Sequence, residues 1–111
     1  MGAIFRGALK EFGLLPAAYA VHSYDAILLI DGAVRNTGGN TADKDALRAA
    51  VKSASFSSLR GAFAFNRNNF PKQDFYLVKI AKRADGKSQT EIQLRLLATA
   101  SDSYAHDCHM P

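Results

Sequence analysis

The sequence predicts an α/β chain of three helices followed by three strands, of which the last two form a hairpin. Apolar residues recur at helical intervals of three and four up to about residue 54, and they then alternate with a period of two. Clusters of Gly, Asn and Pro separate the periodic segments. Helices segregated from strands in a chain of 111 residues indicate either an α+β domain or the end of a larger α/β protein.

The first two helices differ in how much of their surface is apolar. The first ends at Gly13, and Pro16 prevents its continuation. Its one apolar face carries Phe5, Ala8, Leu9 and Phe12. The second, over residues 17–35, is apolar around most of its circumference, which is typical of a buried helix. So short a chain has little with which to cover it, and we therefore expect a covering layer from outside this sequence.

The third helix is predicted from apolar residues on one face, and it ends near Ser53. Thr41 or Asp43 can cap it, because a short side-chain oxygen accepts the free amide hydrogens of a first turn.

Three strands are predicted after the helices, at residues 61–65, 75–80 and about 90–98. Pro71 is expected to interrupt the chain between the first two strands. Asp85-Gly86 predicts the turn of a hairpin. The tail from Ser101 is polar, and we expect it to be loose.

Composition and charge exclude several classes of protein. A hydrophobic share of 48% with 22% charged residues is ordinary for a globular chain and excludes disorder. The net charge of +4 is spread along the chain, and its densest group is Lys79, Lys82, Arg83 and Lys87. That group is too thin for a nucleic-acid interface. It predicts a solvated face of the hairpin and no nucleic-acid partner.

Few features of the sequence indicate the cellular compartment of the protein. The single cysteine, Cys108, excludes an internal disulfide and a zinc site built from several cysteines. The longest apolar run, residues 26–30, is far shorter than a membrane span. Met1 leads directly into a helical pattern, so the sequence shows no secretory signal peptide of its own.

No catalytic residues are predicted. Asp25 and Asp31 lie six positions apart on the second helix, which is about 600° of rotation, so they cannot act as an acid/base pair. We interpret Asp25 as a structural residue near the start of the helix, where the positive end of the helix dipole stabilises its negative charge. His22 has no nucleophile pattern near it and is expected to be satisfied by a hydrogen bond. Gly38-Gly39 separates two helices and lacks the strand before it that a phosphate loop requires. We therefore expect neither an enzyme nor a cofactor.

No metal site is predicted either. The only cluster of metal-ligating residue types is His106, Cys108 and His109, in the terminal tail. This arrangement lacks the two separated ligand pairs of a structural zinc site.

The aromatic side chains admit two interpretations: Tyr19, Tyr24, Phe63, Phe65, Phe75 and Tyr76. At helix and strand spacing, aromatic residues usually pack in a core. The alternative is stacking against an aromatic or apolar ligand in a cleft.

Several segments, in order along nearly the whole chain, resemble one family. Residues 18–29 read AYAVHSYDAILL and resemble the "YA…YDA…LL" helix of the type I periplasmic solute-binding proteins, the ligand-binding receptors of branched-chain amino acid type ABC transporters. Further matches follow: Thr37-Gly38-Gly39, residues 46–50 (ALRAA), residues 56–66 (FSSLRGAFAFN), residues 69–77 (NFPKQDFYL) and residues 103–110 (SYAHDCHM). Residues 5–16 resemble the family's lead-in.

The resemblance covers only the C-terminal portion of a two-lobe protein. It implies that residues 1–59 form the helical end of the first lobe, residues 60–73 the hinge crossing, residues 74–100 a strand pair of the second lobe and residues 101–111 a C-terminal tail. Hinge positions would be Gly61 and Asn66. Tyr19 and Tyr24 would be ligand-binding residues, because the beginning of the second helix faces the cleft in that architecture.

The implied function is part of an ABC transporter substrate-binding protein. It would capture a small solute and deliver it to a membrane permease. The solute would be an amino acid or a related carboxylate, and aromatic carboxylates are included. The location would be the periplasm, with a signal peptide upstream of this segment, and the isolated segment would self-associate. The alternative is an independent small α+β protein-interaction module that dimerises through its apolar helix.

Overall fold

The computed structural model describes residues 2–13 and 18–109, with the backbone alone over residues 2–6. Three helices and three strands occur in the predicted order: α1 (Gly2–Phe12), α2 (Ala18–Asn36), α3 (Lys44–Ser53), β1 (Ala64–Phe65), β2 (Pro71–Lys82) and β3 (Ser88–Ala100). The expected break at Pro16 and the expected helix start at residue 17 lie outside the described residues. The chain divides into two compact units, residues 1–65 and 66–111.

Two glycines end α2, in the loop that the sequence predicted there. Gly38 and Gly39 adopt φ angles of 61° and 83°. Their amides donate to the carbonyls of Arg35 and Val34 at 3.0 and 2.9 Å. These bonds satisfy carbonyl groups that a helix end leaves without an intrahelical partner.

The start of α3 is capped by Asp43, one of the two predicted candidates. Its side chain accepts a hydrogen bond of 3.0 Å from the amide of Ala46. The helix ends at Ser53, as predicted, and the buried Ala54 follows it in the left-handed conformation.

Helix α2 is much less covered than its apolar pattern predicts. Asp25 and Ala33 are the buried residues of this helix. Tyr19, Ile27 and Ile30 are exposed. Among residues 18–109, α2 packs on α3 and on the segment after it, and its remaining apolar side chains are left uncovered, which agrees with the expectation that their covering layer lies outside this sequence.

That packing brings the backbone of α2 close to the segment after α3. A Cβ atom placed on Gly32 would collide with the carbonyl oxygen of Ser55. A helix can approach a neighbouring backbone this closely only where it carries glycine.

The first strand is shorter than predicted, spanning residues 64–65 rather than 61–65. Gly61 has a φ of 102°, which is incompatible with extended backbone. Phe63 and Phe65 contact each other nonetheless, with ring centroids 5.1 Å apart in an edge-on arrangement. Phe56 packs on Phe63 at 5.2 Å.

The hairpin of β2 and β3 is longer than predicted. Pro71 is the first residue of β2, a position where the missing amide hydrogen breaks no ladder bond. The expected interruption between the first two strands is found, since β1 ends at Phe65 and a turn that begins at Asn66 precedes β2. The turn lies at Asp85-Gly86, as predicted, with Gly86 at a φ of 79°. The amide of Arg83 closes the turn by donating to the carbonyl of Lys87 at 2.8 Å.

The antiparallel register of the hairpin shifts three times. In each shift β3 contributes one residue more than β2. The shifts lie between the pairs Gln73↔Ala100 and Phe75↔Leu97, between Phe75↔Leu97 and Tyr76↔Arg95, and between Leu77↔Leu94 and Val78↔Ile92. Such bulges increase the local twist of a strand pair.

Large apolar side chains of the hairpin are exposed on both of its faces. They are Phe75, Tyr76, Leu77, Val78, Ile80, Ile92, Leu94, Leu96 and Leu97. The described residues therefore bury no large apolar side chain fully, and their buried apolar residues are the alanines 33, 54 and 105.

The segment after β3 is held in place, contrary to the expectation of a loose tail. Residues 103–107 form turns, and Ala105 is buried. The side-chain amide of the buried Asn68 donates to Asp102 at 2.6 Å. This bond joins the segment after the hairpin to the loop before it.

Candidate functional site

Asp25 is a buried carboxylate in the middle of α2. It is 5% exposed and is one of two polar residues that are buried among the described positions. The helix begins at Ala18, so Asp25 lies about two turns inside it, where the favourable field of a helix end has faded. The interpretation of Asp25 as a helix-end charge is therefore wrong.

The Asp25 carboxylate binds the segment that follows α3. One oxygen accepts a hydrogen bond of 2.6 Å from the hydroxyl of Ser58. The other accepts one of 2.9 Å from the amide of Leu59. The Ser58 hydroxyl oxygen in turn accepts from the amide of Arg60 at 3.1 Å. A buried carboxylate is stable only when it is compensated in this way.

Arg60 supplies the opposite charge. Its Nε lies 3.6 Å from the Asp25 carboxylate. Its Nη1 lies 3.1 Å from Nε2 of His22. A guanidinium only donates, so this ring nitrogen accepts, and His22 is satisfied by a hydrogen bond as predicted. The guanidinium also lies over the ring of Phe63, 6.0 Å from its centroid.

Together these side chains fasten residues 58–60 onto α2. We call this set the Asp25 cluster: His22, Asp25, Ser58, Arg60 and Phe63. Its hydrogen bonds hold the backbone of residues 58–60 in position. Its location is informative, since the next residue is Gly61, the first predicted hinge position.

Sequence reasoning missed the Asp25 cluster because its partners are more than 30 residues apart in the chain. One signal was available: a carboxylate in a predicted buried helix requires a donor from elsewhere. The identity of that donor could not be read from local spacing.

The two predicted ligand-binding tyrosines are not brought together. Tyr19 is 85% exposed and Tyr24 is 42% exposed. Five helical positions separate them, which is about 140° around the axis, so they face different directions. Tyr19 lies three positions before His22 and therefore on the same side of α2 as that end of the Asp25 cluster.

The two predicted hinge positions lie in different units. Gly61 has a φ of 102°, a conformation that glycine adopts without steric cost. Asn66 begins a tight turn, accepting from the amide of Asn69 and donating its own amide to Phe70 at 2.7 Å. The boundary between the two units falls between these positions.

The cluster of metal-ligating residue types in the tail is not assembled into a metal site. His106 Nε2 lies 3.1 Å from the carboxylate of Asp107. Across residues 2–13 and 18–109, no three His, Cys, Asp or Glu side chains are grouped so that they could hold a metal ion. None of the described helices has the combination of length and hydropathy that crossing a membrane requires.

Comparison with solved structures gives one clear likeness. The chain superposes on a solute-binding protein of an ABC transporter from R. palustris, crystallised in complex with benzoate, with a TM-score of 0.77 and 30% sequence identity. The match covers 92% of this chain and 27% of that protein, so the chain spans about a quarter of the length of the protein it resembles. No protein-family model matches the chain, and no curated protein matches it. The predicted resemblance to part of a solute-binding protein is confirmed.

Proposed function

Since the chain has the fold of part of an ABC transporter solute-binding protein, we propose that it works as part of such a receptor. In this role it helps to capture a small solute in the periplasm, after export directed by an upstream signal peptide, and to deliver it to a membrane permease. The observation that carries the proposal is the likeness over 92% of the chain at 30% identity.

The solute that we propose is a small carboxylate, either aromatic or an amino acid. The similar protein from R. palustris was crystallised with benzoate, which is an aromatic carboxylate. The exposed ring of Tyr19, on the same side of α2 as His22, offers a surface on which an aromatic solute could stack. Tyr24 remains the second proposed contact, from another direction.

The Asp25 cluster suits a hinge-bearing scaffold. Two-lobe receptors close over their ligands by rotation at a few residues, while the flanking segments stay rigid. The bonds to Asp25 hold residues 58–60 on α2, and Gly61 follows with a backbone conformation that few other residues tolerate. We propose that rotation occurs across residues 60–73, with Gly61 and Asn66 as hinge positions.

The test is calorimetry on the complete receptor that contains this segment, with benzoate, other aromatic carboxylates and amino acids. We expect one of these classes to bind and to raise the melting temperature, because a ligand of the native state stabilises it. Tyr19→Ala and Tyr24→Ala should each weaken binding by about 1–3 kcal/mol. Tyr104→Ala, at an exposed tyrosine outside the proposed pocket, should leave the affinity unchanged. Wild-type affinity in both helix variants would show that neither tyrosine contacts the solute.

A second candidate function is an independent interaction module that dimerises through its apolar surfaces. The exposed apolar residues of α2 and of the hairpin favour it as much as they favour a missing lobe. The two proposals differ in one measurable respect. A cleft between lobes needs both of them, so under the receptor proposal the isolated 111 residues do not bind the solute. Micromolar binding by the isolated chain would support the module instead.

A further inference from the structure

Thr99 has an unusual backbone conformation at the point where the chain leaves the hairpin. Its φ is 50°, in the left-handed region. A β-branched residue is rarely found there, because its Cβ substituents crowd the backbone. The other non-glycine residues with positive φ among those described are Ala54 and Asn69, and neither is β-branched.

The strained residue belongs to the bulge nearest the end of β3. Between the pairs Gln73↔Ala100 and Phe75↔Leu97, β2 contributes Asp74 alone, whereas β3 contributes two residues. Glycine is the usual residue for a left-handed position in a bulge. The other two bulges of β3 contain no left-handed residue, so the strain is particular to this one.

Asp74, the residue opposite the bulge, holds it with its side chain. Its Oδ1 accepts a hydrogen bond of 2.7 Å from the amide of Thr99. Its Oδ2 accepts from Arg95 Nη1 at 3.1 Å and from the hydroxyl of Tyr76 at 3.2 Å. The carboxylate thus provides the acceptor for the amide of the left-handed residue in the bulge.

We propose that Asp74 is an acid-sensitive latch that holds the strained bulge at Thr99 and so directs the chain out of the hairpin. The inference is independent of the proposed function, since every contact lies within the hairpin. Its consequence is local. Three residues beyond Thr99, Asp102 bonds to the buried Asn68, so the direction set at Thr99 decides whether the two ends of the hairpin stay joined.

The sign of the pH dependence follows from the groups around Asp74. The Thr99 amide, and then Arg95, lower the pKa of the Asp74 carboxyl below its ordinary 3.8, although burial opposes them and Tyr76 assists. A carboxyl with a lowered folded-state pKa adds stability above its unfolded-state pKa, and this stability is lost as the pH falls through the folded-state value. The latch is therefore closed at neutral pH and opens in acid below about pH 3.8. Burial, and then the bond to Asp74, raise the pKa of Tyr76, which keeps its donor proton in place at neutral pH.

Nuclear magnetic resonance on the isotope-labelled full chain tests the latch directly. We expect the Thr99 amide proton to shift in a single step with a midpoint below 3.8, and the backbone shifts of Thr99 to leave the left-handed range in the same step. An amide that does not titrate, or a midpoint at 3.8 or above, would overturn the proposal. This wild-type titration decides the matter even if a variant fails to fold.

Three variants separate the latch from general destabilisation. In Asp74→Ala, which removes the acceptor of the Thr99 amide, Thr99 should leave the left-handed range at neutral pH. In the double variant Asp74→Ala/Thr99→Gly, residue 99 should return to it, because glycine needs no latch. The matched control is Asp85→Ala, which removes a carboxylate that pairs with Arg83 and accepts from the Lys87 amide at the other end of the hairpin. Thr99 should keep its conformation and its titration in this control, and their loss would contradict the assignment to Asp74.

Discussion

At the scale of single residues, Gly32 illustrates how one missing atom allows two segments to meet. The Cβ of an alanine there would collide with the backbone oxygen of Ser55, which cannot move aside as a flexible side chain could. We expect Gly32→Ala to lower the free energy of unfolding by about 1–3 kcal/mol, as overpacking in a tight contact does.

The matched control for that variant is Gly7→Ala, in the middle of α1. A Cβ at Gly7 meets nothing within 4 Å, so only helix propensity changes there. Alanine should be the better residue by about 0.5–1 kcal/mol. Denaturant titration of both variants measures the contrast, and equal effects would mean that the contact with Ser55 does not constrain α2.

Asp25 gives a second prediction at the same scale. Asp25→Ala leaves the Ser58 hydroxyl, the Leu59 amide and the Arg60 guanidinium without their shared acceptor. We expect a loss of about 1–3 kcal/mol in the free energy of unfolding, since donors stripped of a buried partner bear its desolvation cost.

Asp31→Ala on the same helix is the comparison. Asp31 pairs with Arg35 at 2.8 Å, but both side chains are largely exposed. Removing an exposed ion pair should cost about 0–1 kcal/mol. If chemical denaturation finds the two aspartate variants equally stable, the Asp25 cluster does not anchor residues 58–60.

At the scale of elements, α2 presents two apolar surfaces that differ in their surroundings. Leu28 is half-buried in the chain, whereas the adjacent Ile27 is exposed. Leu28→Asp should therefore destabilise the isolated chain by about 2–4 kcal/mol, by placing a charge in a packed position. Ile27→Asp, with the same change in helix propensity, should stay within about 1 kcal/mol of wild type.

The same pair of variants examines the proposed missing lobe. In the complete receptor, a covering layer on α2 would make Ile27→Asp about as harmful as Leu28→Asp. Thermal melts of both variants in both contexts separate the alternatives. An Ile27→Asp variant that remains harmless in the complete protein would indicate that this face of α2 is exposed to solvent there.

At the scale of the whole molecule, apolar exposure is the dominant feature. The β2–β3 hairpin carries apolar side chains on both faces, and a hairpin by itself is at best marginally stable in water. Exposed apolar surface on this scale marks an interaction site or an aggregation hazard. We therefore expect the isolated chain to self-associate and to bind a hydrophobic dye.

Light scattering coupled to size-exclusion chromatography measures that association. Ile80→Thr and Ile92→Thr, at two highly exposed hairpin positions, should reduce it while keeping β-branched residues in the strands. A monomeric chain with a sharp two-state melt and no dye binding would contradict both the missing lobe and the dimeric module.

The sequence by itself determined the order of the elements, the turns and the family likeness. Helical and alternating periodicity, a capping residue before α3, the glycines after α2 and the Asp85-Gly86 turn all depend on residues a few positions apart, so local spacing predicts them. The choice of Asp43 over Thr41 as that cap came from the structure. The tertiary structure alone decided which distant groups meet. Asp25 accepts hydrogen bonds from Ser58 and Leu59, which lie 33 and 34 positions later in the sequence. Asp74 accepts one from Thr99, which lies 25 positions later. It also decided the hairpin register, the anchoring of the tail and the exposure of α2. The long-range contacts and the register depend on how the chain folds back on itself. The exposure of α2 depends on how much of the chain is available to pack against it. Hydrophobic periodicity in the sequence reports neither of these.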